Sequence, residues 1–310
     1  MLAASIIEAQ GIDVLGLFFE TPFFTSKKAR KSAHHINLPF KVMDITKRHL
    51  EVVRHPRHGY GRNMNPCIDC HALMFQIAGE VLEKEKAGFV VTGEVLGQRP
   101  MSQNRKSLDL IASESGLLGL LLRPLSAKCL PPTIPEERGW VQRELLMGFE
   151  GRSRKPQMEL ARRLDIGEYP SPGGGCLLTE NGFSRRLKDL ISSKTEISVR
   201  KLELLKLGRH FRIATHTKIV VGRNKRENGT ILALSGNNDL LLNAVSVPGP
   251  TVLISGDHSV DSMKIATAIA AAYSDAGELE VCEVRITQGT ENRVLTVSVQ
   301  DKEDFRPYMI

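Results

Sequence analysis

The sequence predicts an α/β fold: a parallel sheet covered by helices, joined to a second, smaller α+β domain. Over about the first 120 residues, amphipathic helical stretches alternate with short apolar runs, which is the pattern of a parallel sheet with both faces covered. After residue 198 the pattern changes to short strands separated by turns. A chain of 310 residues is long enough to bury two such cores.

The first domain is predicted to span residues 1–192. Apolar runs typical of buried strands lie at residues 12–19, 39–45, 89–92 and 120–122. Helical periodicity occupies residues 1–10, 27–36, 46–54, 67–87, 107–115, 157–164 and 183–190. A proline-rich stretch at 124–135 is expected to cross the surface. Because parallel sheets bind ligands at the carboxyl ends of their strands, the loops that follow these strands are the first candidates for a site.

The second domain is predicted to span residues 199–310, after a polar and poorly patterned stretch at 191–198. Helices are expected at residues 199–207, 225–234 and 259–274. Short strands, largely antiparallel, are expected at residues 211–213, 218–221, 240–243, 252–254, 281–286 and 294–299.

Composition narrows the class of protein. The net charge of +7 and the pI near 9.2 favour an anionic partner, and one Trp with 5% aromatic residues argues against base stacking as its main contact. Five scattered cysteines do not form a disulfide framework and point instead to metal binding or redox chemistry in a reducing compartment. No apolar run has the length of a membrane span and the first residues lack a signal-peptide pattern, so we expect a cytoplasmic protein without membrane contacts.

Three of the cysteines are predicted to form one site. Cys67 and Cys70 form a Cys-x-x-Cys pair at the start of a predicted helix, whose N-terminus is expected to lower the pKa of the thiols. Cys176 follows a segment rich in proline and glycine, residues 170–175, which is able to fold sharply and deliver a third sulfur. Cys129 and Cys282 are interpreted as incidental or core residues.

Three thiols allow three kinds of site. They fit an iron–sulfur cluster with one open iron, a zinc site completed by a histidine, or a cysteine pair that cycles between thiol, persulfide and disulfide. The histidines considered for zinc are His71, His58 and His55. Three unrelated cysteines remain the plain alternative, although the Cys-x-x-Cys pair favours the cluster.

A second candidate site is the loop after the predicted strand at 89–92. It carries two glycines, Gly93 and Gly97, followed by amides, an arginine and a hydroxyl, groups that can hold a nucleotide or phosphate. A polar surface loop with turn glycines would have a similar composition. The basic segment at 151–156 is either a solvated surface or a phosphate contact near this loop.

The residues of this loop resemble a known family. Thr92-Gly93-Glu94-x-Leu96-Gly97-Gln98 with Ser102-Gln103, followed by Leu122-Arg123-Pro124-Leu125, resembles the adenine-nucleotide alpha hydrolase (PP-loop ATP pyrophosphatase) domain of the tRNA 4-thiouridine synthetases. The segment around Cys176 resembles the catalytic-cysteine element that these enzymes share with the tRNA 2-thiouridylases. The resemblance covers about the first 190 residues and implies a PP-loop/HUP-like sheet.

The resemblance implies thiolation of a tRNA uridine, with ATP, Mg²⁺ and a sulfur donor, either sulfide or a persulfide carrier. ATP would adenylate the base carbonyl oxygen, and a sulfur species would displace AMP. Gly93, Gln98, Ser102 and Gln103 would line the nucleotide pocket. Cys67, Cys70 and Cys176 match the pattern of the branch that holds a [4Fe-4S] cluster, whereas in the other branch Cys176 would be a persulfide or resolving cysteine.

The C-terminal region resembles the RNA-binding NFACT-R domain. The residues that carry the resemblance lie, in the same order, at 218–228, 238–244 and 247–250. Such a domain would hold the tRNA, and the residues predicted to contact its phosphates are Arg223, Asn224, Lys225 and Arg226. A plain surface turn would have much the same sequence.

One part of the family pattern is missing. PP-loop enzymes open with a strand and a Ser-Gly-Gly-x-Asp-Ser loop that holds the pyrophosphate, whereas Met1 aligns with the helix that follows this loop. We expect the protein to start upstream of Met1; otherwise it is a degenerate member that does not use ATP, and as given the 310 residues should not adenylate a base. The alternatives are an RNA-binding protein with structural zinc and an enzyme that acts on a small molecule. The sequence leaves open whether the product is 2-thio or 4-thiouridine and whether the chain is a homodimer.

Overall fold

The computed structural model describes residues 1–169, 175–277 and 279–310, and these divide into two units, Met1–Thr179 and Glu180–Ile310. The division lies before the predicted boundary at 191–198, so the helix predicted at 183–190 belongs to the second unit. Long-range contacts place this helix in the second unit, because its Asp189 accepts hydrogen bonds from Arg212 and Lys218. The segment 170–174, predicted to deliver Cys176, lies outside the described residues.

The first unit contains α-helices and short parallel strands. The helices are α1 (Leu2–Glu8), α2 (Lys27–His35), α3 (Thr46–Arg54), α4 (Cys67–Glu85), α5 (Arg105–Glu114), α6 (Ile134–Glu137) and α7 (Lys155–Arg163). The strands are β1 (Gly16–Glu20), β2 (Phe40–Asp44), β3 (Val90–Val91) and β4 (Leu121–Leu122). β1 pairs with β2 and β3 pairs with β4, both in parallel, which confirms the predicted strand direction. Within the described residues the strands form two separate two-stranded sheets where one sheet was predicted.

A cavity of about 760 Å³ lies between these two sheets, lined by residues 14–19 of one and residues 89–93 of the other. Gly16 N–H donates at 2.8 Å to the carbonyl of Pro39, the residue before β2. Since N–H groups alternate in direction along a strand, those of Leu17 and Phe19 point away from β2. In β3, Val90 N–H donates to the carbonyl of Leu120, so the N–H group of Val91 points away from β4. No strand among the described residues pairs with either of these two edges.

The second unit is an antiparallel sheet with helices, as predicted. Its helices are α8 (Asn181–Ser192), α9 (Val199–Leu204), α10 (Lys225–Ala233) and α11 (Val260–Ala272). Its strands are β5 (Arg209–Ala214), β6 (Thr217–Val221), β7 (Leu240–Ala244), β8 (Val252–Ser255), β9 (Val281–Gln288) and β10 (Glu291–Ser298). They form one six-stranded sheet in the order β10-β9-β7-β8-β6-β5.

The two faces of this sheet are covered by different helices. Ile219 and Val221 of β6 face the core formed with α11, whereas Val220 between them faces α9 and α10 through Leu204 and Ile231. This alternation follows from the side-chain period of two along a strand. In the part of the chain that the structure describes, no helix is long and apolar enough to cross a membrane.

Gly256, at the end of β8, is a position where the backbone excludes a side chain. Its φ is +109°, and a Cβ atom there would lie 1.7 Å from the carbonyl oxygen of His216. We expect Gly256→Ala to lower the free energy of unfolding by about 3 kcal/mol, because the backbone must move to relieve this clash. The measurement is thermal and urea unfolding of the full chain.

Gly229 of α10 provides the matched control. No atom lies within 4 Å of the position that its Cβ would occupy. Gly229→Ala is therefore expected to raise the free energy of unfolding by about 0.5–1 kcal/mol, since alanine loses less backbone entropy in a helix. Equal effects of the two substitutions would contradict the assigned backbone conformation of Gly256.

Candidate functional site

The thiols of Cys67, Cys70 and Cys176 belong to one unit and influence one another electrostatically. Cys67 is the first residue of α4, and Cys70 lies one helical turn later. The residues after Cys176 are held in the same unit, since Leu177 N–H donates to the carbonyl of Phe23 at 3.1 Å. The charges of Cys176 and Cys67 both raise the pKa of Cys70, so each of these two thiols is close enough to Cys70 to act on it electrostatically.

Cys70 is disfavoured as an isolated thiolate. Burial is the largest cause that raises its pKa, followed by the negative charges of Cys176, Cys67 and Asp69. The sequence predicted that the helix N-terminus lowers the pKa of this thiol, but at Cys70 burial and the neighbouring negative charges give a net increase. A cation close to Cys70 would favour its thiolate by offsetting these negative charges.

The donor set has the chemistry of a cluster or zinc site, because thiolates are the ligands that iron–sulfur clusters and zinc share. Among the described residues, no group of three or more His, Cys, Asp and Glu side chains is arranged closely enough to hold a metal ion.

His49 is a neighbour of Cys70 that was not predicted from the sequence. Its Nε2 lies 2.9 Å from Sγ of Cys70, and its side chain is fully buried on α3. Burial lowers the pKa of His49 to about 4, so the imidazole is neutral at neutral pH. Nδ1 of His49 is also buried and has no hydrogen-bond partner within the described residues. In the sequence, the burial of His49 is indicated only by its position one turn before Val53, on the apolar side of α3.

Two of the histidines that were considered for zinc are hydrogen-bonded to carboxylates in this structure. His58 Nε2 lies 3.0 Å from Glu114, and His71 Nδ1 lies 2.8 Å from Glu94. Both carboxylates can hold the imidazole by a hydrogen bond.

Glu94 connects the cysteine helix to the candidate nucleotide loop. The carboxylate is 4% exposed and accepts hydrogen bonds from His71 of α4 and from Nε of Arg123 at 3.0 Å. Arg123 in turn donates to the carbonyl of Leu108 in α5. Burial alone would raise the pKa of Glu94, but the hydrogen bonds and charges of His71 and Arg123 give a net lowering. Glu94 therefore remains ionised and fixes α4 against the loop that begins at Gly93.

The four residues predicted to line a nucleotide pocket fall into two groups. Gly93 and Gln98 lie on the wall of the 760 Å³ cavity. Ser102 and Gln103 are 1% and 5% exposed, and the carbonyl of Gln103 accepts a hydrogen bond from Gly97 N–H at 2.7 Å inside the loop. Ser102 and Gln103 are thus buried in the loop and stabilise it. Oε1 of Gln103 has no hydrogen-bond partner among the described residues.

The basic segment at 151–156 is held against the same loop. Gly151 N–H donates to Leu96 at 2.8 Å, and a Cβ at Gly97 would lie 3.3 Å from Cα of Gly151. Arg154 also lines the cavity, so a positive charge is available beside Gly93 and Gln98. A phosphate group in this cavity would meet both a glycine backbone and an arginine.

The four residues predicted to bind RNA lie at the N-terminus of α10. Asn224 caps the helix, because its side chain accepts a hydrogen bond from Glu227 N–H at 3.0 Å. Arg223 pairs with Glu227, which also accepts from Gly208 N–H. The exposed Lys225 and Arg226 form no ion pair with any described residue.

Comparison with known families finds similarity in two parts of the chain. Residues 2–128 match the model of a family described as thiamine biosynthesis protein (ThiI), and residues 208–309 match that of the NFACT protein RNA binding domain. We refer to these matched parts as the ThiI-type region and the NFACT-type domain. The ThiI-type region includes Cys67, Cys70 and the loop through Gln103, and the NFACT-type domain includes residues 223–226. Cys176, α7 and α8 lie between the two matched regions.

The comparison with curated proteins found no match. One solved structure that aligns with the chain is the C-terminal part of the fibronectin/fibrinogen-binding protein from Streptococcus suis, with 12% identity over 78% of this chain and 96% of that one. Its TM-score of 0.31 is too low to inform the fold.

Proposed function

We propose that the protein is an ATP-dependent tRNA uridine sulfurtransferase. The observation that carries the proposal is the grouping of the thiols of Cys67, Cys70 and Cys176 in the unit that also holds the loop beginning at Gly93. The ThiI-type region supports a sulfur-transfer reaction, and the NFACT-type domain supports RNA as the partner. The net charge of +7 suits a polyanionic substrate.

In the proposed reaction the carbonyl oxygen of a uridine attacks the α-phosphate of ATP and releases pyrophosphate. A sulfur nucleophile then attacks the activated carbon, and AMP leaves with the original oxygen. Gly93 allows close approach of a phosphate to the backbone, while Gln98 and Arg154 supply an amide and a positive charge in the same cavity. Mg²⁺ would enter with the nucleotide, whose phosphate charge it neutralises.

Cys67, Cys70 and Cys176 would hold a [4Fe-4S] cluster, which would supply an iron site for sulfide. The donor would be sulfide itself, or a persulfide carrier together with a thiol reductant that releases the outer sulfur as sulfide. The protein contributes a buried position for Cys70, where the negative charges of Cys176 and Cys67 would be offset by a bound cation. It also contributes the Glu94 contacts with His71 and Arg123, which hold the cysteine helix beside the nucleotide loop.

Nucleoside analysis of tRNA is the direct test. The gene is deleted at its natural locus, and 2-thiouridine and 4-thiouridine are quantified by mass spectrometry in total tRNA with and without the gene. We expect one of the two nucleosides to disappear and to return on complementation, which also identifies the modified carbonyl. Unchanged levels of both would refute the proposed activity.

A second candidate is a non-catalytic RNA-binding protein with structural zinc. It is favoured by the 2.9 Å contact between His49 and Cys70, which offers an imidazole as a fourth ligand. Against it, a zinc-bound imidazole normally donates its other N–H, and Nδ1 of His49 lacks a partner among the described residues. Metal analysis after anaerobic purification separates the candidates, since iron and sulfide support the sulfurtransferase and one zinc without colour supports the alternative.

A further inference from the structure

Helix α8 lies outside both matched regions, yet it is fastened to the sheet of the NFACT-type domain. Asp189 accepts hydrogen bonds from Nη2 of Arg212 at 2.7 Å and from Nζ of Lys218 at 3.0 Å. Arg212 and Lys218 are direct partners on the adjacent strands β5 and β6. The apolar face of α8, with Phe183, Leu187 and Leu190 buried, accompanies these ion pairs. α8 is therefore a fixed part of the second unit.

Arg186 of α8 lies next to the N-terminus of α10. Arg186 donates from Nη1 to the carbonyl of Leu205 at 2.9 Å, at one end of the turn formed by residues 205–208. At the other end of this turn, Gly208 N–H donates to Glu227, the carboxylate that holds Arg223. Arg186 and Arg223 are thus linked through the same short turn. Their proximity also appears in the pKa of Arg186, which burial lowers and which the positive charges of Arg223 and Arg185 lower further.

Several basic side chains on α8 and at the start of α10 have no ion-pair partner among the described residues. Two carboxylates of this region are occupied by other cations, Asp189 by Arg212 and Lys218 and Glu227 by Arg223. In the described residues, Arg185, Arg186 and Lys188 form no ion pair, and neither do Lys225 and Arg226. Arg185 and Lys188 are exposed one helical turn apart on α8. Such an accumulation of arginines and lysines on two neighbouring helices suits a chain of phosphates.

We propose that the RNA-binding surface of the second unit continues from the start of α10 onto α8, where Arg185 and Lys188 contact phosphates of the bound tRNA. The proposal rests on the proposed function, because it takes tRNA as the partner. The α8 side chains contribute affinity and not sequence specificity, since phosphate contacts carry no base information. The surface so formed consists of Arg185, Arg186, Lys188, Arg223, Lys225 and Arg226.

The test is a salt titration of tRNA binding with the full chain, in which the double variant R185A/K188A is compared with the unaltered protein by fluorescence anisotropy. We expect binding about tenfold weaker at physiological salt, and a slope of log affinity against log salt reduced by about two, because two phosphate contacts are lost. Both side chains are exposed, so the melting temperature should not change. Arg186 is left in place because its bond to Leu205 has a structural role.

K264A/R306A is the matched control. Lys264 and Arg306 are 75% and 73% exposed in the same unit, Lys264 on α11 over the opposite face of the sheet. Removal of these two charges should leave affinity and salt slope close to those of the unaltered protein. An equal loss in both double variants would overturn the proposal, because net charge alone would then explain the binding.

Two further outcomes separate this proposal from the proposed function. If the unaltered chain binds tRNA and R185A/K188A binds it equally well with the same slope, only the extension onto α8 is wrong. If the unaltered chain does not bind tRNA, both are wrong. Displacement of tRNA by polyglutamate at equal charge concentration would also overturn the proposal, since the surface would then not distinguish RNA from an acidic polypeptide.

Discussion

Cys176→Ser is expected to reduce tRNA thiouridine to the level found in cells that lack the gene. A serine hydroxyl neither binds soft metals nor carries a persulfide, so every role proposed for this thiol is lost. The substitution changes one atom at a half-buried position, and the NFACT-type domain is a separate unit. The measurement is nucleoside analysis in cells complemented with the variant, together with tRNA affinity of the purified protein, which should be unchanged.

Cys129→Ser is the control for this experiment. Cys129 is half-buried, as Cys176 is, but it lies within the proline-rich stretch and is not among the groups that act on the pKa of Cys70. It should retain normal thiouridine levels. Normal levels in the Cys176→Ser variant would show that the sulfur does not pass through this residue, and the proposed three-thiol site would have to be abandoned.

Glu94→Gln is expected to lower the free energy of unfolding by about 3–5 kcal/mol, the usual cost of removing one partner from a buried ion pair. Arg123 is 8% exposed and would lose its buried carboxylate partner. Urea unfolding of the full chain measures the loss. Glu80→Gln, which removes an exposed partner of Arg48, should change stability by less than about 1 kcal/mol.

The effect of Glu94 also depends on pH in a defined direction. Its pKa in the folded protein lies below the ordinary value of 4.5. The unfolded state therefore takes up the proton first as pH falls, and the stability from Glu94 is present above pH 4.5 and lost as pH falls through the folded pKa. Between these values the melting temperature of the unaltered protein should fall more steeply than that of Glu94→Gln. Parallel curves would contradict the assigned ion pair.

The sequence locates most helices well because helical periodicity is a local property. The helix predicted at 259–274 is observed as Val260–Ala272, and that predicted at 27–36 as Lys27–His35. Strand length is less local, since a strand extends only as far as its partner allows. The apolar run predicted as a strand at 89–92 therefore contributes only Val90–Val91 to a ladder with β4.

The candidate site was predictable where its residues are close in sequence. The Cys-x-x-Cys pair and the glycine-containing loop are motifs of this kind, whereas His49 beside Cys70 and Arg123 beside Glu94 depend on how distant segments pack. The unit to which α8 belongs also depends on contacts between distant segments. Its amphipathic pattern shows that one face is buried, but only the contacts of Asp189 with Arg212 and Lys218 show which unit it joins.

The edge of β1 beside the cavity, unpaired among the described residues, affects how fast its amide hydrogens exchange with water. Along β1, amides that bond to the β2 side alternate with those of Leu17 and Phe19, which are directed toward the cavity. Amide hydrogens in the first set open only when the two strands separate, whereas those in the second set exchange whenever solvent enters the cavity. Neighbouring residues of a single strand therefore differ in protection, and local stability here varies with a period of two residues.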